Sequence, residues 1–557
     1  MLFVKQKYFL FFTVIFGIYF FINIPLIRNC IFLADDLPII FFSVKTPFTL
    51  FTYWENGLQE LLPSTHFDSF RYRPLTSFVF YLTAFLFDLK PSLWAIASQI
   101  NHLLNFALLV FILKKIQTFF DFKSNLFFII PVFYLFYPGN VTNLAWASGR
   151  IDLMVIFFCL TSFSFSLYYI QNKKFIFLIL SSALFLLGCL TKENALSWFA
   201  VEFFLLWQIY FLYNKPPQLF TSLVKLLNAK LAAGVVYVFL RSTMAMINDK
   251  SVFDSLKSFD TAIAYLKSLF FTFLPVDSGT FIYSFASSGI IFSLLYLVYF
   301  SSISFVIVML ISKKDFYKII FSLLSISFVT LAFYSIAGGG TYRLFVLTFT
   351  SLLISFFILL CAKLKDKKNL NRNMVTASIV IFIFFVYGFN KISDYWIINY
   401  KLQDTSISSL VTVYDKDKEN IILSYPHTLG QAYCYSDAGI YLYYKMNNKI
   451  GRLNNITELA AINSVNAEHY TAGSTISREN NSFIVSSQYD DTYFSPGAFF
   501  TEKSILGQKY STLKYFSFEV LKLNRFSKPL TVKFEAFSKF EQPYNFIRFT
   551  DGKFEKF

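Results

Sequence analysis

The stretch YFLFFTVIFGIYFFINIPL, Tyr8 to Leu26, decides the fold class. It carries no charge and approaches the ~20 apolar residues a helix needs to cross the hydrocarbon core of a bilayer. Lys5 and Lys7 precede it. It is too long for the apolar region of a cleaved signal peptide, and no small-residue cleavage site follows. It therefore reads as a retained first span, with the N-terminus held inside by its lysines.

Similar runs recur along the chain. Of 557 residues, 56% are hydrophobic, 21% aromatic and 15% charged, against about 25% charged in an average soluble protein. Backbone amides in lipid must bond internally, so long apolar runs mean helices. The period-2 alternation of a membrane barrel is absent. The formal charge of +16 follows from basic residues at the inner ends of spans and does not point to nucleic acid. Of five cysteines, Cys159, Cys189 and Cys361 lie in apolar runs, Cys30 just past the first and Cys434 alone near the end. That is neither a disulfide framework nor a metal cluster.

Loop charge orders the spans. Residues 28–91 form a first outer loop, too polar to be buried throughout. Further spans are expected at 92–113, 126–137, 151–173, 175–190, 195–213, 231–244, 288–311, 319–337, 344–362 and 374–389, with Pro131 able to kink the short third one. Segment 262–276 reads as an interfacial helix. Lysine clusters then end the descending spans, giving an all-α polytopic bundle of about eleven spans. Residues 1–392 form this membrane domain and 393–557 lie outside. The tail alternates, as in Phe483-Ile484-Val485-Ser486-Ser487 and Leu530-Thr531-Val532-Lys533-Phe534. That pattern predicts strands and a small β-rich or α+β domain.

This topology gathers the polar clusters on the outer side. They are Asp35-Asp36, Arg71 and Arg73 before Pro74, Ser148-Gly149-Arg150 with Asp152, Lys192-Glu193, and Thr341-Tyr342-Arg343. Each charge at membrane depth costs about 2.5–3.5 kcal/mol on insertion scales, so such a gathering suggests a water-filled cavity with a function. Asp35 and Asp36 could supply a general base, or mark a solvated loop or a helix start. Arg71 and Arg73 suit phosphate oxygens or snorkel to headgroups. Arg150 with Asp152, and Lys192 with Glu193, could be ion pairs that hold loops. Arg343 follows Gly338-Gly339-Gly340, where a backbone can approach a ligand closely; it also suits an ordinary interfacial cation. His102, in the middle of a span, reads as an interhelical hydrogen bonder rather than a metal ligand. Phosphate-binding glycine loops, HExxH and GxSxG are absent from the sequence, which disfavours a nucleotide-driven pump or a soluble-type nucleotide-sugar transferase.

Six stretches in this order resemble the GT-C superfamily of multi-span glycosyltransferases. They are Ala34-Asp35-Asp36-Leu37-Pro38-Ile39, Tyr72-Arg73-Pro74-Leu75-Thr76, Asn101-His102-Leu103-Leu104-Asn105, Ala145 to Asp152, Leu190 to Ala195 and Tyr342-Arg343-Leu344. The likeness is to the membrane part of the transmembrane and tetratricopeptide-repeat O-mannosyltransferases and their bacterial relatives. It implies an inverting transfer of a hexose or pentose from a polyprenyl- or dolichyl-phosphate sugar to a hydroxyl of a glycan, lipid or protein. Asp35, with Asp36 supporting, would be the base. Arg71, Arg73, Arg150, Lys192 and Arg343 would bind the donor phosphate, and Asp152, Glu193 and His102 would support them. No cofactor is required by this chemistry, which leaves room for a divalent cation. The expected place is a bacterial inner membrane with the site on its outer face. The helical repeats of the named family are missing after the last span, and a smaller tail replaces them. Two rivals remain, a multi-span polysaccharide polymerase or ligase and a non-catalytic lipid-linked sugar transporter. The polymerase would not need paired Asp residues after the first span. The transporter should show repeated halves.

Overall fold

The computed structural model describes residues 2–33, 36–37, 40, 73–121, 126–212, 217–244, 265–270, 272–275, 289–310, 316–336, 345–364, 372–429, 432–433, 438–449, 451–464, 469, 474–479, 482–489, 492–496, 506–507, 509–510, 516–524, 529–536 and 544–557. Asp35, Arg71, Arg343 and Cys434, all singled out from the sequence, lie outside these residues, as does most of the first outer loop. Of the expected interfacial segment, 265–270 is helical and most of the remainder lies outside the described residues.

The helical part runs α1 (Leu2–Asn29), α2 (Pro74–Phe87), α3 (Pro91–Phe119), α4 (Leu126–Ile129), α5 (Pro131–Leu135), α6 (Gly139–Ala145), α7 (Arg150–Asn172), α8 (Phe175–Thr191), α9 (Ser197–Leu212), α10 (Pro217–Met244), α11 (Gly289–Leu310), α12 (Phe316–Ile336), α13 (Val346–Leu364) and α14 (Arg372–Val413). Among the described residues, six stretches are long and apolar enough to cross a bilayer, those of α3, α7, α9, α10, α13 and α14. The bent unit of α4, α5 and α6 raises this to seven. The chain is thus a multi-pass helical membrane protein. A count of about eleven would add α1, α8, α11 and α12, whose described apolar stretches are shorter than the other spans.

Local chemistry explains several boundaries. Pro74 and Pro91 each stand in the first turn of their helix, where a missing N–H costs nothing. Pro131 breaks α4 from α5 as its sequence suggests, but the larger bend of 63° lies further on, before α6. α7 turns into α8 through Lys173 in the left-handed region (φ 56°), a strained choice for a residue with a Cβ. Two helices outrun expectation. α10 begins at Pro217 rather than near 231, and α14 continues past 389 to Val413. At 42 residues, α14 is about 63 Å long, roughly twice the hydrocarbon thickness, so half of it stands clear of the bilayer.

Beyond α14 the chain changes class. Strands β1 (Glu419–Leu429), β2 (Ala432–Tyr433), β3 (Ile456–Ser464), β4 (Thr475–Glu479), β5 (Ser482–Ser486), β6 (Thr492–Pro496), β7 (Lys509–Tyr510), β8 (Phe516–Leu523), β9 (Pro529–Ala536), β10 (Tyr544–Thr550) and β11 (Lys553–Lys556) accompany helix α15 (Ala438–Asn447). One sheet is mixed, in the order β11-β10-β1-β3-β6 with β2 on β1. Its parallel β1–β3 pair needs a crossover, and α15 lies within that connection. The second sheet, β4-β5-β9-β8-β7, is antiparallel. The two stretches expected as strands are β5 and β9, and they pair with each other, Phe483 opposite Phe534 and Val485 opposite Val532. The expected boundary at 392/393 falls inside α14.

Two apolar cores result. One fills the helical bundle around Tyr19, Tyr137, Trp198 and Phe389. The other fills the strand domain and continues to Phe32, Leu37, Phe80, Trp94 and Ile151 in the helical part. Tyr444 on α15 stacks edge-on with Phe32 at 6.1 Å. Gln403 on α14 donates to the Phe32 carbonyl at 3.0 Å, and Tyr400 to that of Ala145 at 2.6 Å. The strand domain therefore sits against the second half of α2 and the bundle end at which α3 and α7 begin.

Candidate functional site

At that same end the described charges come together. Asp36 is 1% exposed. Its Oδ2 accepts from the Leu33 amide at 2.9 Å, and its Oδ1 from the Ser148 amide and hydroxyl, both at 2.7 Å. The segment after α1 is thereby tied to the turn that opens α7. Gly149 makes this turn possible: a Cβ there would lie 2.9 Å from both the Asn143 Cα and the Thr142 carbonyl oxygen. Backbone atoms cannot yield to such an overlap, so only glycine fits.

Arg150 follows, 4% exposed. Its guanidinium lies 5.4 Å from the Trp94 ring and 5.7 Å from the Phe80 ring, within cation–π range. Its Nη2 donates to Thr83 Oγ1 of α2 at 2.7 Å. The Nε finds no hydrogen-bond partner among the described residues. A buried guanidinium donor left unmatched is costly, and such a donor is suited to an anionic ligand.

The other cations are held by carboxylates from distant elements. Lys192, which ends α8 in extended conformation, bonds Asp152 of α7 at 2.5 Å. Arg73 clasps Glu193 through both arms, Nε–Oε2 2.8 Å and Nη2–Oε1 2.5 Å. Thr76 ties α2 to the same turn by donating to the Thr191 carbonyl at 2.7 Å. The contacts close a ring: Arg150 reaches α2, Arg73 just before α2 reaches Glu193, and Lys192 returns to Asp152 on α7. Ion pairs do hold these segments, but Asp152 pairs with Lys192 and Glu193 with Arg73, rather than the sequence neighbours Arg150/Asp152 and Lys192/Glu193 with each other. Residues two apart or adjacent diverge around a helix start, whereas side chains from facing elements converge.

His102 lies away from this ring, within α3. Its Nε2 donates to the Leu135 carbonyl at 3.2 Å, and its ring packs on Tyr134 and Tyr19 at 4.9 and 5.9 Å. This is the bridging role between helices that its mid-span position suggests. Among the described residues no three His, Cys, Asp or Glu side chains gather as a metal set. Of the described carboxylates at this end, Asp36 accepts from two backbone amides and the Ser148 hydroxyl, Asp152 from Lys192 and Glu193 from Arg73.

Sequence reasoning missed a second charged cluster. Glu202 of α9 and Lys230 of α10 form an ion pair, with side chains 2% and 1% exposed. Lys230 also donates to Ser162 at 2.7 Å, and Ser166 to Glu202 at 2.5 Å. A signal existed: Glu202 is the only charged residue in 195–213. Apolarity alone starts a span at 231, one residue past Lys230, whereas α10 runs from Pro217 and carries Lys230 inside it.

The sequence matches no protein family and no curated protein. Among solved structures, the chain is similar to ArnT from Cupriavidus metallidurans in the apo state, with 12% identity over 83% of this chain and 93% of that one, at a TM-score of 0.40. It is also similar to the same protein bound to undecaprenyl phosphate, with 11% identity, 85% and 96% coverage and a TM-score of 0.39. Likeness at that level transfers neither a site nor a substrate.

Proposed function

We propose that this chain is a membrane glycosyltransferase that moves a hexose or pentose from a polyprenyl- or dolichyl-phosphate to an acceptor hydroxyl, with inversion. The site would open on the outer face of a bacterial inner membrane, where a surface glycan, lipid or protein would be the acceptor. One observation carries the reading: buried Arg150, its Nε donor unmatched among the described residues, stands beside the Asp36-anchored acidic segment at a membrane end. A cation with spare donors next to carboxylates is what the departure of a phosphate from an attacked sugar requires.

In the proposed reaction the acceptor hydroxyl gives its proton to the Asp35 carboxylate. Its oxygen bonds to the anomeric carbon from the face opposite the phosphate. The bond from that carbon to the phosphate oxygen breaks, and the lipid phosphate leaves with the electron pair. Arg150 would take up the developing charge, helped by Arg71, Arg73, Lys192 and Arg343. Asp36 is the better anchor and Asp35 the better base, because both Asp36 oxygens already accept hydrogen bonds. Asp152 and Glu193 would set the positions of Lys192 and Arg73, and His102 the packing of α3.

The test is transfer of label from a panel of radiolabelled polyprenyl-phosphate sugars in purified membranes. Wild type should transfer. Asp35→Asn should lose at least a hundredfold in rate at normal expression, within the range of general-base effects. Asp36→Asn should lose both rate and thermal stability. Transfer that survives both substitutions would sink the mechanism.

A further inference from the structure

Away from the charged ring, α4, α5, α11, α13 and α14 enclose an apolar cavity of ≈ 380 Å³, a size within the usual range for ligand pockets. Ile129, Phe133, Val306, Phe356, Leu360 and Ile379 are among its walls. The polar side chain in the lining is Ser378, whose hydroxyl already donates to the Met374 carbonyl at 2.9 Å. With no donors to hold it, water has no place there. The cavity opens sideways: Ile129, Val375 and Ile379 line it and are also 38%, 42% and 54% exposed. On helices that cross a bilayer, what lies outside such a mouth is hydrocarbon chain.

The position of the mouth selects the kind of lipid. Trp94, under Arg150, and Lys114 are both on α3. Twenty residues separate them, about 30 Å along a helix and so about one hydrocarbon thickness. Lys114 is at the cavity end of the bundle, its Nζ 6.0 Å from the ring of Phe127 in α4. Lys363 follows the lining residue Leu360 by three positions on α13. The cavity is therefore reached from the leaflet opposite the candidate site, past lysines that attract anionic headgroups. We propose that this cavity holds one acyl chain of an anionic phospholipid whose phosphate meets Lys114 and Lys363. The site is separate from that proposed for the sugar donor, and its test does not depend on transfer activity.

The full chain would be reconstituted in nanodiscs of equimolar phosphatidylglycerol and phosphatidylcholine, then moved to detergent and analysed by native mass spectrometry. About one phosphatidylglycerol should remain per protein, several-fold over phosphatidylcholine. Leu353→Trp and Ile379→Trp, which fill the cavity, should abolish retention while elution and melting stay as in wild type. Lys114→Glu with Lys363→Glu should keep a bound lipid but lose the preference for the anionic one. Should the filling variants misfold, the unaltered protein gives the answer through a phosphatidylglycerol with a photoreactive acyl chain. Crosslinks should concentrate on 126–133, 349–360 and 374–385. Equal retention of the two lipids, retention unchanged by the fillings, or crosslinks spread around the bundle would each overturn the proposal.

Discussion

Arg73 and Glu193 pose the sharpest question at the scale of single residues. A bidentate carboxylate has the fork geometry that a phosphate would also offer a guanidinium, so Glu193 occupies the donors that a lipid phosphate would use. If Arg73 serves the donor, Glu193 is a competitor that must be displaced at each turnover. Glu193→Gln should then lower the KM for the donor severalfold, with kcat equal or reduced, because the amide holds Arg73 less firmly. If Arg73 only braces α2, the same change should leave KM alone and lower the melting temperature. Steady-state kinetics with varied donor and a melting curve on the same preparation separate the two. Lys192 and Asp152 differ in degree: at 8% and 5% exposed, that pair is the less accessible to an incoming anion.

Among elements, α7, α8, α9 and α10 are joined in mid-membrane by Glu202 and Lys230 with the hydroxyls of Ser162, Ser166 and Ser181. Breaking a buried pair by removing one partner costs about 3–5 kcal/mol, since it strands the other charge, whereas replacing both by apolar groups is often neutral. Lys230→Met should therefore lower the melting temperature in detergent by many degrees, and Lys230→Met with Glu202→Leu should recover most of the loss. A double variant as unstable as the single one would show that the serines, not the charges, organise these helices. The same elements show what could be read in advance. Apolar run length gave α7, α8, α9 and α13 within a few residues, because lipid leaves the backbone no alternative to a helix. The polar motifs that converge were visible for the same reason, as charge at membrane depth is rare. Their partners were not visible. Asp152 and Lys192 are 40 positions apart and Arg73 and Glu193 are 120 apart, and only packing decides which faces meet. The length of α14 was hidden too, since its second half alternates a buried face, with Trp396, Tyr400, Gln403 and Leu410, and an exposed polar one rather than forming an apolar run.

For the molecule as a whole, the question is whether the strand domain is an appendage or part of the site. Its core runs without interruption into Phe32, Leu37, Trp94 and Ile151, residues adjacent in sequence or in space to Asp36 and Arg150. Trp94 is at once the ring beneath the Arg150 guanidinium and a partner of Phe32 at 5.6 Å. Tyr444 reaches both sides of this junction, meeting the Phe32 ring and, at 3.4 Å, the Leu89 carbonyl. A domain that merely recognises an acceptor would not need to support the segment that carries the acidic pair. Tyr444→Ala removes a contact more than 350 positions from that segment and leaves every charge of the ring in place. It should nonetheless lower kcat about tenfold or more, by loosening the Asp36 anchor, since ångström-scale misplacement of reacting groups can cost a hundredfold. It should also speed proteolysis between residues 28 and 91 in intact vesicles, a change that a purely acceptor-binding role would not produce. Unchanged cleavage together with a raised KM for acceptor alone would place the domain outside the catalytic support and assign it to recognition of the acceptor.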